Sequence, residues 1–362
     1  MLLANNNVLN KYESILKEEL SPMTRAIDEE GVYPETVLRA LGKAGAYQIS
    51  ELTYKEEMLK RLQLINIAAR SCVSTSFLIW CHTTAISFIS NSGNAYLKET
   101  LLPLLESGEV LAGTGLSNPM KYYAGMETLR LTAERHENGY TINGILPYVS
   151  NLGKGHWFGI IAQVDEEQRI FAMVNCDSLG LTLTEHKDFA GLNGTRSFTC
   201  RFDDVFLEDN VMISTSADDF VKTIRSSFML TQTGMGIGLI KASVDTMQKC
   251  IKKQNESNKF IGVSTEHILD ELEAVQHKIH DLFESTIEVP FNDAVQIRLQ
   301  GAELALKTAE IAMLYQGAAG YLKKSDSMRR LREALFIAVV TPAIKHLKRM
   351  LHEQSNPLLG VN

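Results

Sequence analysis

Between Val110 and Ile213 the apolar residues of this 362-residue chain leave the helical period that governs both flanks, and that change limits the possible folds more than any other feature. The short runs Thr128 to Glu134, Tyr140 to Asn143, Trp157 to Val164, Ile170 to Asn175, Leu181 to Glu185 and Ser197 to Phe202 read as strands. They are separated by turn-rich pieces such as Glu137-Asn138-Gly139. Upstream, Val8, Tyr12, Ile15, Leu16 and Leu20 recur at helical spacing, and Pro34-Glu35 suits the first turn of a helix over Thr36 to Ala46. A buried helical run is expected over Glu51 to Ser92, most apolar at Phe77 to Phe88, and a short helix over Tyr96 to Leu105. Downstream, helices are expected over Asp218 to Lys252, Thr265 to Ser285, Asp293 to Leu322 and Asp326 to Glu353, each long enough for an antiparallel bundle. The pattern predicts an α+β protein: a helical domain over 1–109, a central antiparallel β-domain over 110–215 and a four-helix bundle domain over 216–362.

Composition narrows the function classes. No apolar run is read as reaching the roughly 18 residues of a membrane span, and no basic segment precedes an apolar one at the amino terminus, so a cytoplasmic protein is expected. A net charge of −7 without a basic stripe argues against nucleic-acid binding. Cys72, Cys81, Cys176, Cys200 and Cys250 form no C-x-x-C pair, so neither a disulfide framework nor a zinc site is expected. His277, His280 and Asp281 lack the Glu-x-x-His pairing of a di-iron bundle and read as a solvated helix face. His82, in the most apolar helix, reads as a hydrogen-bonded core histidine, with a place lining a channel as the alternative. Gly234, Gly236 and Gly238 lie in a helical pattern and not after a strand, so close helix packing explains them better than phosphate binding.

Two polar segments carry the chemistry. Leu116-Ser117-Asn118-Pro119 and Tyr148-Val149-Ser150-Asn151 read as strand ends, the second just after an Asn143-Gly144 turn. In this order and context the chain resembles the acyl-CoA dehydrogenase family from about Tyr12 to Leu351. Ser117-Asn118-Pro119 stands where members have Thr-Glu-Pro, and Tyr148-Val149-Ser150 where they have Trp-Ile-Thr. The resemblance implies a flavin seat: Leu116 and Ser117 at the pyrimidine edge of the ring, Tyr148 and Val149 beside one face, and the Ser150 hydroxyl at flavin N5. The acidic pair Asp203-Asp204 matches the family's exit from the sheet and is expected as solvated turn residues. Gly317-Ala318-Ala319-Gly320-Tyr321 partly matches the Gly-Gly-Asn-Gly turn that meets the FAD pyrophosphate, where small residues let the backbone approach. Leu314 replaces the usual Gln before that turn, Lys259 would stand in for the family's pyrophosphate Arg, and Glu273 occupies a flavin-contacting Gln position. FAD is therefore expected, with FMN as the alternative.

Most members remove the substrate α-proton with a Glu whose position here holds Thr341. A minority use a Glu whose position here holds Phe228, with Met229 in place of a CoA-contacting Arg. Neither residue is a base near neutral pH. A shifted register would offer Glu333 or His346 instead, although Glu333 reads better as an ion-pairing acid after Arg332 and His346 as part of a polar face. The resemblance implies oxidation of an acyl thioester on CoA or an acyl-carrier protein, an electron-transfer flavoprotein or flavin reductase as redox partner, and a homodimer or homotetramer that completes the flavin site. A flavin monooxygenase and a catalytically silent flavin-binding subunit are the alternatives.

Overall fold

A computed structural model describes residues 6–253 and 256–355. The amino-terminal helices are α1 (Asn6–Ile15), α2 (Thr24–Glu29), α3 (Glu35–Lys43), α4 (Tyr54–Ser71), α5 (Val73–Ser90), α6 (Ala95–Thr100) and α7 (Leu102–Glu106). The central part holds β1 (Ala112–Thr114), a short α8 (Ser117–Tyr123), β2 (Leu131–His136), β3 (Gly139–Val149), β4 (Trp157–Gln163), β5 (Arg169–Asn175), β6 (Leu181–His186), β7 (Ser197–Glu208) and β8 (Met212–Ser214). The chain then forms α9 (Ala217–Lys253), α10 (Thr265–Ser285), α11 (Phe291–Gln316), α12 (Asp326–Val339) and α13 (Ile344–Ser355).

The single run expected over Glu51 to Ser92 is two helices. Thr53 starts α4 with a reciprocal capping box to Glu56, and extended Cys72 (φ −158°, ψ 117°) ends it. The N–H of Val73, freed at the start of α5, donates to the Glu333 carboxylate of α12 at 3.0 Å. Over its 18 residues α5 is apolar enough by length and hydropathy to cross a membrane, against the sequence reading, yet 94% of it is buried inside the protein. A helix apolar on every side is at home in such a core.

The sheet runs β6-β7-β3-β2-β4-β5-β8, with β1 beside β4. It is mixed and not antiparallel as expected, because β1 and β2 both run parallel to β4. A tight two-residue hairpin at Glu137-Asn138 joins β2 to β3, whose first pair is His136 with Gly139. Asn143-Gly144, expected as a turn, lies within β3 at a register shift against β7. Gly144 has φ +129°, and a Cβ there would sit 2.2 Å from the Arg130 carbonyl. Asp204, expected in a solvated turn, belongs to β7 and clamps this bulge: Asn143 Nδ2 donates to its carboxylate at 2.8 Å, and its N–H donates to Asn143 Oδ1 at 2.9 Å.

The three helical-pattern glycines of α9 pack closely, as the sequence suggested. A Cβ at Gly238 would lie 2.3 Å from the Asn66 carbonyl of α4, and one at Gly236 would lie 2.9 Å from the Gly301 carbonyl of α11. One apolar core joins the amino- and carboxy-terminal helices, and a second fills the sheet. The last expected helix is also two, interrupted at Val340-Thr341-Pro342. That interruption faces the junction between sheet and helices.

Candidate active site

A cavity of about 280 Å³ lies at this junction, bounded by α5, the start of α8, the end of β3, the 189–197 loop, α9 and the α12–α13 turn. One wall carries hydroxyls. Ser117 Oγ and Thr341 Oγ1 are 2.8 Å apart, so one donates to the other and one proton stays free. Opposite them the order of donors is constrained. Thr195 gives its proton to the Leu192 carbonyl at 2.7 Å, so Ser197 must donate to Thr195 at 2.9 Å and Ser150 to Ser197 at 2.6 Å. Ser150 Oγ thus offers the cavity lone pairs and no proton.

The other wall is aromatic. Phe77 stacks on Trp80 with centroids 5.7 Å apart, Phe336 meets Phe77 edge-on at 4.8 Å, and Phe228 meets Trp80 edge-on at 4.8 Å. Trp80 Nε1 donates to Thr231 Oγ1 at 3.1 Å, which fixes the indole. Tyr148 and the loop residues Leu192 and Arg196 have positive φ (57°, 64° and 43°). So does Asn151 (66°), whose side chain accepts from the Tyr33 hydroxyl at 2.7 Å and donates to the Ala112 carbonyl at 2.7 Å. Non-glycine residues in this region are strained, and two of these four, Tyr148 and Leu192, line the cavity.

The structure brings Ser117, Tyr148, Ser150, Phe228 and Thr341 into the lining of this one cavity. Ser117 opens α8 instead of ending a strand. Tyr148 is 60% exposed beside His186 and Phe189, while Leu116 and Val149 are buried behind the wall. Gly317, Ala318 and Gly320 do not line it; they follow the end of α11, where 317 and 318 are exposed. Lys259 and Glu273 are also exposed and outside it, and Glu273 pairs with His277 at 3.4 Å.

Among the described residues, no Asp, Glu, His, Lys or Arg lines the cavity. Burial pushes the Cys81 thiol far up, so it is no base either. Glu333 lies outside the lining; its partner is Arg329 at 3.0 Å, not the neighbouring Arg332, which pairs with Asp28. His346 accepts the Ala343 N–H at 3.3 Å and also stays outside. His82 is fully buried, accepts the Ala112 N–H at Nδ1 (3.1 Å) and donates from Nε2 to the Leu105 carbonyl (3.0 Å). Burial pulls it down to about 3, so it is a neutral strut of the core. Among the described residues no group of three or more His, Cys, Asp or Glu is placed to hold a metal, and the five cysteines are unpaired.

Sequence reasoning missed the support behind this wall. Arg298 of α11 is fully buried and forms no ion pair among the described residues. Its Nε donates to Gln232 Oε1 at 3.0 Å and its Nη2 to the Ile337 carbonyl at 2.8 Å, while Nη1 has no partner. Gln232 donates onward from Nε2 to the Thr341 carbonyl at 3.2 Å. Burial pulls Arg298 down to about 10, which leaves it charged at neutral pH. The signal was a lone cation in the apolar stripe Ala294, Val295, Ile297, Gly301 and Ala302.

A second cavity, of about 800 Å³, lies between α8 and α9, lined by Met120, three residues after Ser117, and by Met229, next to Phe228. Its cations are Lys222 and Arg225, and Arg225 rests 4.4 Å over the Phe291 ring.

The smaller cavity is near the low end for a small-molecule pocket and fits a flat fused ring: hydroxyls on one wall and aromatic faces on the other suit an amphipathic heterocycle. Helices, sheet and helices around such a cavity define the acyl-CoA dehydrogenase fold. Residues 5–109 match the family model for the acyl-CoA dehydrogenase N-terminal domain. The probable acyl-CoA dehydrogenase YngJ of Bacillus subtilis is 22% identical over 92% of both chains. A glutaryl-CoA dehydrogenase from Mycobacterium smegmatis in complex with FADH2 is similar with a TM-score of 0.88 at 13% identity, over 100% of this chain and 97% of that one. The prolyl acyl carrier protein oxidase AnaB is similar with a TM-score of 0.84 at 16% identity, over 99% and 100%. The amino-terminal part of the chain thus matches the acyl-CoA dehydrogenase N-terminal domain, and the whole chain has the acyl-CoA dehydrogenase fold.

Proposed function

We propose that this protein oxidises an acyl group presented as a thioester, on CoA or on a carrier protein, with the isoalloxazine ring of FAD in the hydroxyl-walled cavity. One observation carries the reading: Ser117, Ser150 and Thr341, far apart in the chain, converge on one cavity beside the aromatic wall. The flavin, when bound, supplies the hydride acceptor. Ser117 and Thr341 together keep one free proton for a ring acceptor, and Ser150 supplies lone pairs for a ring donor. Phe77, Trp80, Phe228 and Phe336 keep water from the wall they share. The thioester arm would lie in the larger cavity beyond Met229, with Arg225 placed for its phosphates beside Lys222, which donates to Asp219 at 2.8 Å. No side chain of the wall takes a proton, so in this reading the substrate α-proton leaves to solvent at the Tyr148 mouth or to a basic group on the substrate. The Gly317–Gly320 turn, outside the cavity, would meet the pyrophosphate of a flavin bound by a neighbouring subunit, which makes the active species a homodimer or homotetramer. Electrons would pass on to an electron-transfer flavoprotein.

Anaerobic titration of the FAD-loaded protein with acyl-CoA and acyl-carrier thioesters tests this. Bleaching of flavin absorbance by thioester alone is expected. No bleaching, with oxygen-dependent product when a flavin reductase supplies reduced flavin, would replace the dehydrogenase reading by a monooxygenase.

A further inference from the structure

Among the described residues two arginines are fully buried: Arg61 pairs with Glu57 at 3.0 Å, whereas the partners of Arg298 are all neutral. Taking a guanidinium out of water without a counter-charge is costly, and such a group persists where the fold uses its field or its hydrogen bonds. Arg298 does two things that converge on the cavity. Its bond to the Ile337 carbonyl satisfies an acceptor in the last turn of α12, at the negative end of that helix. Its bond to Gln232, which in turn holds the Thr341 carbonyl, ties the wall segment bearing the Thr341 hydroxyl to α9 and α11. The charge lies two hydrogen bonds behind the Thr341 backbone, and the cavity lining between them holds no acidic side chain.

We propose that Arg298 is a positioning residue that braces Thr341 through Gln232 and places an unneutralised positive charge behind the cavity wall, so that the cavity binds reduced, anionic flavin in preference to oxidised flavin. The inference rests on the flavin reading above. The lone pairs of Ser150 point the same way, since reduced flavin carries an added ring N–H and oxidised flavin has an acceptor there. A unit charge about 10 Å from an anion, at an effective dielectric of about 20, favours it by roughly tenfold.

The test is anaerobic binding of FAD, oxidised and dithionite-reduced, to the full-length protein and to R298M, R298K and Q232M, each first shown by circular dichroism to be folded. Met keeps the length of the buried side chain and removes the charge, Lys keeps the charge, and Q232M cuts the link to Thr341 while leaving Arg298 charged. The expected result is a roughly tenfold loss of the preference for reduced FAD in R298M and its retention in R298K and Q232M, with Q232M weakening both forms alike. If R298M and Q232M weaken both forms equally and leave their ratio untouched, the brace is structural only and the electrostatic claim is overturned. If wild type binds neither form, the flavin reading itself fails and takes this inference with it.

Discussion

The carboxylate of Glu333 on α12 accepts the backbone N–H of Val73, the first residue of α5, at 3.0 Å across 260 positions of sequence. The same carboxylate holds Arg329 at 3.0 and 3.2 Å, and both side chains are buried. Removing Glu333 leaves the buried Arg329 with only the exposed Asp326, at 3.3 Å, and the Val73 N–H without an acceptor, so Glu333→Ala should lose about 3 kcal/mol in urea unfolding. Glu333→Gln, which can still accept from Val73, should lose less. A Glu333→Ala protein within about 1 kcal/mol of wild type would show that this junction does not hold the amino- and carboxy-terminal helices together.

Thr341 stands in the cavity wall 2.8 Å from Ser117, at the position that the sequence resemblance assigns to the family's carboxylate. A carboxylate facing a cavity whose opposite wall is aromatic is pushed up by desolvation toward the range useful for a general base. Thr341→Glu should therefore speed anaerobic flavin bleaching by an acyl thioester at least about tenfold. An unchanged or slower stopped-flow trace would mean that the wall is not where the α-proton leaves.

Ser150 contributes an acceptor to the cavity and lies at the end of a three-hydroxyl chain. Loss of a single neutral hydrogen bond is worth about 0.5–1.5 kcal/mol, so Ser150→Ala should weaken FAD binding roughly two- to tenfold. Equilibrium dialysis giving wild-type affinity would remove Ser150 from the flavin seat.

His82 is neutral in the folded protein because burial pulls it down to about 3; the nearby His156 and Arg39 act in the same direction, and the Leu105 carbonyl opposes them. In the unfolded chain it titrates near 6.5. Below that value the unfolded state binds the extra proton, so the stabilisation is complete above about pH 6.5 and is lost progressively as pH falls toward 3, by about 2 kcal/mol at pH 5. His82→Gln should be less stable than wild type at pH 7.5, with a gap that narrows on acidification to pH 5. A constant gap in the two denaturation series would contradict this role.

Gly238 has no room for a methyl group, since its Cβ would lie 2.3 Å from the Asn66 carbonyl and 2.6 Å from Ala69 Cβ. Gly238→Ala should force α4 from α9 and cost about 1–3 kcal/mol. Gly93→Ala, where a Cβ meets nothing within 4 Å, is the control and should change the melting temperature little.

Much of the architecture was legible locally. The span of α10, Thr265 to Ser285, was read at both ends because Ser264 caps its first turn through the His267 N–H and its apolar residues keep one period. The close-packed glycines of α9 were legible for the same reason, as they lie in an unbroken helical pattern. Cys72 and Asn143 were not, because each break depends on a distant group: Glu333 for the start of α5 and Asp204 for the β3 bulge. The α12–α13 break has a local cause that the helical reading passed over, since Pro342 lacks an N–H and disfavours helix at Thr341.

By itself the sequence determined the order of helices, strands and helices, and which short segments bear hydroxyls, because period and side-chain chemistry are properties of neighbouring residues. Only the tertiary structure decided that Ser117 meets Thr341, that among the described residues no Asp, Glu, His, Lys or Arg lines the cavity, and that a buried Arg298 stands behind it. Those facts follow from how separate elements pack, and a hydrogen bond or a charge acts through space without regard to the length of chain between its ends.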